Sequence, residues 1–183
     1  MNVSSTANDR RLQRWAIAPL PNVIGLGGAI AGLGGGLAMA IVAAMLTRAL
    51  GQDIWHQPKV IASLVYGPGA TAQPGFVAGP VLVGTLIHLA VSALLGALFG
   101  IVTRRILLLP SDFGTPVMAG LVYGLMIWLV AYFIVVPTLS PRLLEIYVPA
   151  FIVQHIIYGT VTGLLYSLLR PQPYSLPSRD ERR

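Results

Sequence analysis

The sequence predicts an all-α integral membrane protein: a four-transmembrane-helix bundle built from two helical hairpins of the same orientation. Three observations carry this. Of 183 residues, 55% are hydrophobic and only 10% are charged. Soluble domains carry about a quarter charged residues, so a water-facing surface cannot be built from this composition. Four apolar runs, about 22-47, 80-103, 116-137 and 147-169, are each long enough to cross a hydrocarbon core. A stripe of small residues headed by a histidine occurs twice, in the second run and again in the last.

Residues 1-21 form a polar cytoplasmic segment, with Arg10, Arg11 and Arg14 ahead of the first span and Trp15 at the place of an interfacial aromatic. The Arg10-Arg11 pair and Ala38-Met39-Ala40 resemble export and cleavage signals. The apolar run continues to Leu46, however, beyond the 7 to 15 residues or so of a signal peptide, which predicts a retained first helix. In that helix Gly28, Gly32 and Gly36 recur at intervals of four. Small residues so spaced let helix backbones approach closely in lipid. Gly25-Leu26-Gly27-Gly28 is no dinucleotide fingerprint, because Ile30 stands where a third glycine is needed and no strand precedes it.

The outer loop, 48-79, predicts a short interfacial helix. Between Gln52 and Val65, Asp53, Trp55, His56 and Lys59 are followed by Ile61, Ala62, Leu64 and Val65, which suits a short amphipathic helix. Gly67-Pro68-Gly69 breaks it. Pro80 opens the second span, and Arg104 and Arg105 close it. After a turn through Pro110 and Asp112, Thr115 caps the third span and Pro116 takes its first position, with Gly120 and Gly124 four apart inside it. Pro137 and the Thr138 to Pro141 turn end that span. Arg142 and Glu145 precede the last one, whose first turn holds Pro149. Residues 170-183 read as a disordered cytoplasmic tail.

With the N-terminus inside, the inner flanks carry nine basic residues (Arg10, Arg11, Arg14, Arg104, Arg105, Arg170, Arg179, Arg182, Arg183) and the outer flanks three (Arg48, Lys59, Arg142). The positive-inside rule then predicts both termini in the cytoplasm. The net charge of +6 belongs to these flanks and predicts no nucleic-acid partner. The absence of cysteine excludes disulfides and thiolate chemistry.

The two ridges are His88, Ser92, Gly96, Gly100 and His155, Gly159, Gly163, Ser167, closed by Arg104 and Arg170. Residues four apart share a helix face. Both histidines lie about 23 Å from their basic ends, in the outer third of the membrane at nearly equal depth. Parallel hairpins are related by an axis along the membrane normal, which predicts that the ridges, and with them His88 and His155, face each other across the bundle centre.

A glycine-rich first span with Ala31-Gly32, an outer loop with Pro58, a second span with His88 and Ser92 and a last span with His155-Ile156-Ile157-Tyr158-Gly159 resemble small uncharacterised four-helix inner-membrane proteins of the YagU-like kind. The resemblance covers most of residues 22-169. It implies a multi-pass protein of a bacterial inner (plasma) membrane, without an assigned activity or catalytic residue.

Intramembrane histidines call for a functional hypothesis. Two stand here: His88 and His155 as interhelical hydrogen-bond donors, with no cofactor, or as axial ligands of a haem in an electron-transfer protein. Asp53, His56 and Glu145 read as solvated interfacial anchors rather than a metal site. The spans contain no carboxylate, which disfavours ion-coupled transport, and Thr85, Ser92, Tyr123, Thr160 and Thr162 are too scattered to outline a pore for a small solute, the remaining alternative. The expectation is a non-enzymatic packing or accessory component. Its partners are the lipid bilayer and either a second copy of the chain or a membrane complex.

Overall fold

The computed structural model describes residues 25–109, 114–139 and 147–169. The N-terminal segment, the Pro110 to Asp112 turn, Arg142, Glu145 and the tail lie outside them. Among the described residues four helices are long and apolar enough to cross a membrane: α1 (Leu26–Ala49), α3 (Ala78–Ile106), α4 (Gly114–Leu139) and α5 (Val148–Leu169). A short helix, α2 (His56–Tyr66), and a 3-10 turn, Gly67–Thr71, lie in the connection between the first two.

The spans begin and end where the local chemistry allows. Pro80, Pro116 and Pro149 each fall in the first turn of their helix, where a missing N–H costs no intrahelical bond. α3 ends in a π-helical turn, Val102–Ile106, and α4 holds another, Ala131–Val135. In the first, the Thr103 hydroxyl donates to the Phe99 carbonyl at 2.7 Å, satisfying an acceptor beside the widened turn.

In space the order is α3, α1, α5, α4: α1 packs on both α3 and α5, and α5 on both α1 and α4. α1 therefore needs glycine on two faces. Gly28, Gly32 and Gly36 meet α3, while Gly34 and Gly35 meet Leu165, Thr162 and Tyr158 of α5. Ala31, Phe99 and Tyr166 form the buried centre, and Phe99 touches the rings of Tyr123 and Tyr166 at centroid distances of 5.2 and 5.6 Å. Large apolar side chains such as Leu37, Ile41, Leu86, Leu94 and Met126 stand outward, as a bundle solvated by lipid requires.

Candidate functional site

Two glycine seams position everything polar in the spans. In the first, a Cβ added at Gly28 would collide with the Gly96 carbonyl, and one at Gly32 with the Ser92 carbonyl. A Cβ at Gly36 would sit 2.5 Å from the Ser92 hydroxyl. Gly96 and Gly100 reciprocate, facing Gly28 and Gly32 backbone. In the second seam, Gly120 faces the Gly159 carbonyl and Gly163, Gly124 faces the His155 carbonyl and Gly159, and Gly163 faces the Pro116 carbonyl. In both, one residue number rises as the other falls, so α1 runs antiparallel to α3 and α4 to α5. The Ser167 hydroxyl donates to Leu164 of its own helix at 2.6 Å.

The ridges thus face the glycine helix of their own hairpin and not each other, unlike the arrangement that the repeat predicts. The physical reason is close approach. A ridge of glycines is matched by a partner that also lacks side chains, and Gly28-Gly32-Gly36 and Gly120-Gly124 are those partners.

Tyrosines bridge the wider gaps. Tyr158 of α5 donates to the Ser92 carbonyl of α3 at 2.8 Å, and Tyr166 to Gly100 at 3.2 Å. Tyr123 of α4 donates to Leu95 of α3 at 2.8 Å. The Tyr158–Ser92 bridge sets the relative height of the histidines, because His88 and His155 each lie about one turn N-terminal to it on their helices. His88 Nε2 donates to the Gly36 carbonyl of α1 at 3.0 Å. His155 Nδ1 donates to Phe151 of its own helix at 2.8 Å, with its ring edge-on to Phe151 at 4.4 Å. Beside His155, Gln154, 2% exposed, holds an Nε2 without a partner among the described residues, and Trp128 Nε1 and the Thr160 hydroxyl are likewise unpartnered there. Sequence reasoning passed over Gln154, although an amide inside an apolar span is itself a signal.

The connection between α1 and α3 departs furthest from expectation. Lys59, read as one of the charges outside the spans, is 1% exposed and turned inward. Its ammonium donates to Asp53 Oδ2 at 2.9 Å, to the Gln73 carbonyl at 2.8 Å and to the Gly75 carbonyl at 3.0 Å. Asp53 also accepts from the backbone N–H of Trp55 and of Gly75, each at 3.0 Å. Asp53 is therefore a paired group and not a solvated anchor. Partial burial pushes its pKa up, but the Lys59 hydrogen bond and charge and the two N–H donors outweigh this and hold the carboxyl below its ordinary value. Among the described residues, which include Asp53 and His56 and leave out Glu145, no three His, Asp or Glu converge.

Residues 23–176 match the model of one protein family. The chain belongs to DUF6789, a family of unknown function. The match takes in all four spans and both seams. No curated protein and no solved structure matches the chain.

Proposed function

We propose that this DUF6789 chain is a non-enzymatic accessory component of a bacterial inner membrane, related in role to the YagU-like proteins it resembles, with two hairpins inserted in the same sense and both termini in the cytoplasm. The orientation rests on the nine-to-three distribution of basic flanking residues. The role rests on one observation: the hydrogen bonds described between spans run from a side chain to a backbone carbonyl. His88, Tyr123, Tyr158 and Tyr166 all do so. Proton transfer and nucleophilic attack need pairs of side chains in contact. Side chains bonded to carbonyls instead tie helix to helix, which suits a rigid unit that holds a second copy or another membrane protein.

Blue-native electrophoresis of membranes with and without the chain tests this. A complex that loses mass or abundance when the chain is removed, and recovers with the wild type but not with Gly159→Leu, is the expected result. Unchanged complexes would end the accessory reading.

A haem reading has one observation in its favour. With Nδ1–H donated to Phe151, His155 keeps its lone pair on Nε2, the arrangement in which a backbone carbonyl orients a metal-ligating histidine. His88 would have to ligate through Nδ1 or release Gly36. Bound haem would supply one-electron chemistry. The reduced-minus-oxidised absorption spectrum of the purified protein, beside His155→Ala, decides: a Soret band lost in the variant supports haem, and a colourless folded protein after haem-replete expression removes it.

A further inference from the structure

The seams account for the spans and leave α2 to be explained. α2 crosses α3 with the Pro58 carbonyl against Gly84, so closely that a Cβ at position 84 would collide with it. Arg104 stands 20 residues further along α3. At about 1.5 Å per residue the interval is about 30 Å, the thickness of a hydrocarbon core. With Arg104 at one boundary, α2 meets α3 at the other.

At that level an outward lysine would face the edge of the acyl chains. Lys59 faces inward, with all three ammonium hydrogens committed to Asp53, Gln73 and Gly75. Most of the large side chains that α2 and the adjoining loop leave outward are apolar, with Gln52 and Gln73 the exposed polar ones: Trp55, Leu64, Val65, Tyr66 and Phe76 are between 36% and 67% exposed. Interfacial helices commonly display Lys and Arg toward anionic headgroups. Here the cation of α2 is inverted and neutralised, Arg48 at the end of α1 being the exposed one, and the outward face of α2 carries aromatic and aliphatic groups of the kind that partition at the glycerol level.

We propose that the outward face of α2, with Trp55 and Phe76, is a lipid-binding surface embedded in the adjacent leaflet where acyl chains meet glycerol, and that it selects no headgroup charge. The inference rests on the membrane-spanning reading of the four helices. The ion pair of Lys59 and Asp53 then serves to keep the backbone of the connection satisfied within the protein, as irregular structure at membrane depth requires.

Tryptophan quenching in vesicles tests this. The chain has three tryptophans, so Trp15→Phe with Trp128→Phe leaves Trp55, and Trp15→Phe with Trp55→Phe leaves Trp128. In phosphatidylcholine vesicles brominated at shallow acyl positions, Trp55 emission should fall about twofold, less with deep bromines, and equally with added anionic lipid or high salt. Trp128 should be quenched by bromolipid whatever α2 does, and so reports on the spans separately. Quenching of Trp55 by aqueous acrylamide and not by bromolipid, with Trp128 still quenched by lipid, would overturn the proposal and leave the spans standing. Protection of Trp55 from both would overturn it in favour of a covering protein. Dependence on anionic lipid would refute the charge-indifferent surface. Val65→Cys, in a chain without cysteine, gives an independent reading: a nitroxide there should collide more with oxygen than with a water-soluble nickel chelate, and the reverse order contradicts lipid contact.

Discussion

His88 donates to a carbonyl of the neighbouring helix, Gly36, whereas His155 donates to a carbonyl one turn back on its own helix, Phe151. The two residues head the same four-residue ridge in two hairpins, at the same depth, yet only His88 ties two helices together. The first seam carries the His88 hydrogen bond beside its backbone contact; the second is closed by backbone contact of Gly120, Gly124, Gly159 and Gly163. A repeated pattern in the chain has therefore produced a repeated packing geometry without a repeated polar contact. Seam and histidine can be separated by experiment.

The largest effect should come from the seams, where the hairpins are alike. Gly32→Leu and Gly159→Leu both drive side chains into backbone that cannot yield: the added Cβ alone would meet the Ser92 and Gly120 carbonyls. Overpacking of this kind costs about 1–3 kcal/mol or more, and the penalty should be similar in the two seams. Unfolding monitored by circular dichroism during titration of a mild detergent with dodecyl sulfate measures it. Gly69→Ala, with nothing within 4 Å of its added Cβ, should leave the midpoint unchanged. A large loss in one seam and none in the other would show that one hairpin alone holds the bundle.

Next in size is the outer ion pair, a device that neither seam uses. Lys59→Met leaves Asp53 and two carbonyls without their cation, and breaking a pair this buried costs about 3 kcal/mol. Hydrogen exchange should rise in Gly67–Thr71 and on to Gly75 while the spans stay protected. Because the Asp53 pKa is lower in the folded chain than in the unfolded one, its contribution is fully present above the ordinary aspartate value, about 4, and is lost as pH falls through the folded value. Protection of this segment should hold from pH 8 to about pH 5 and fail only in stronger acid; Asp53→Asn should remove that acid dependence.

The histidines themselves sharpen the comparison. His88→Phe removes a bond between helices and should cost about 1 kcal/mol, as interhelical hydrogen bonds in membranes do. His155→Phe should cost close to nothing beyond its change of packing, because the Phe151 carbonyl keeps its place in the α5 ladder. Equal losses in the same detergent titration would mean that His155 has an interhelical partner after all.

These differences show which features a sequence can display. Spacing by four reports which residues share a face, so Gly28, Gly32, Gly36 and the two ridges were legible as packing surfaces, and hydropathy made the four spans legible. Spacing does not report which face meets which. The choice depends on matching two surfaces without side chains, and it set each ridge against its own hairpin. Lys59 was legible as a charge in an amphipathic segment but not as a buried one. Two of its acceptors are the backbone carbonyls of Gln73 and Gly75, and every residue type has such a carbonyl. Tyr158 and Tyr166 escaped notice for the same reason, since their partners on α3 are carbonyls too.

The smallest predicted effects belong to those tyrosines, and they bear on how the hairpins are joined. Tyr123, Tyr158 and Tyr166 all end on α3, from α4 and α5, so the hydroxyls rather than the glycines connect the first hairpin's outer helix to the second hairpin. Replacing each with phenylalanine retains the ring and its packing and removes one donor, at about 0.6 kcal/mol by analogy with measured interhelical bonds. Tyr158→Phe, from a bond of 2.8 Å, should lose more than Tyr166→Phe, from one of 3.2 Å. Neither seam should change, because α1–α3 and α4–α5 contacts are made by backbone. The triple variant should therefore keep two intact hairpins that separate from each other earlier than the wild type, seen as earlier loss of energy transfer between dyes on α3 and α4 with helicity retained. Loss of helicity and energy transfer together would show that the hairpins do not stand without each other, and that the tyrosine layer is part of one cooperative core.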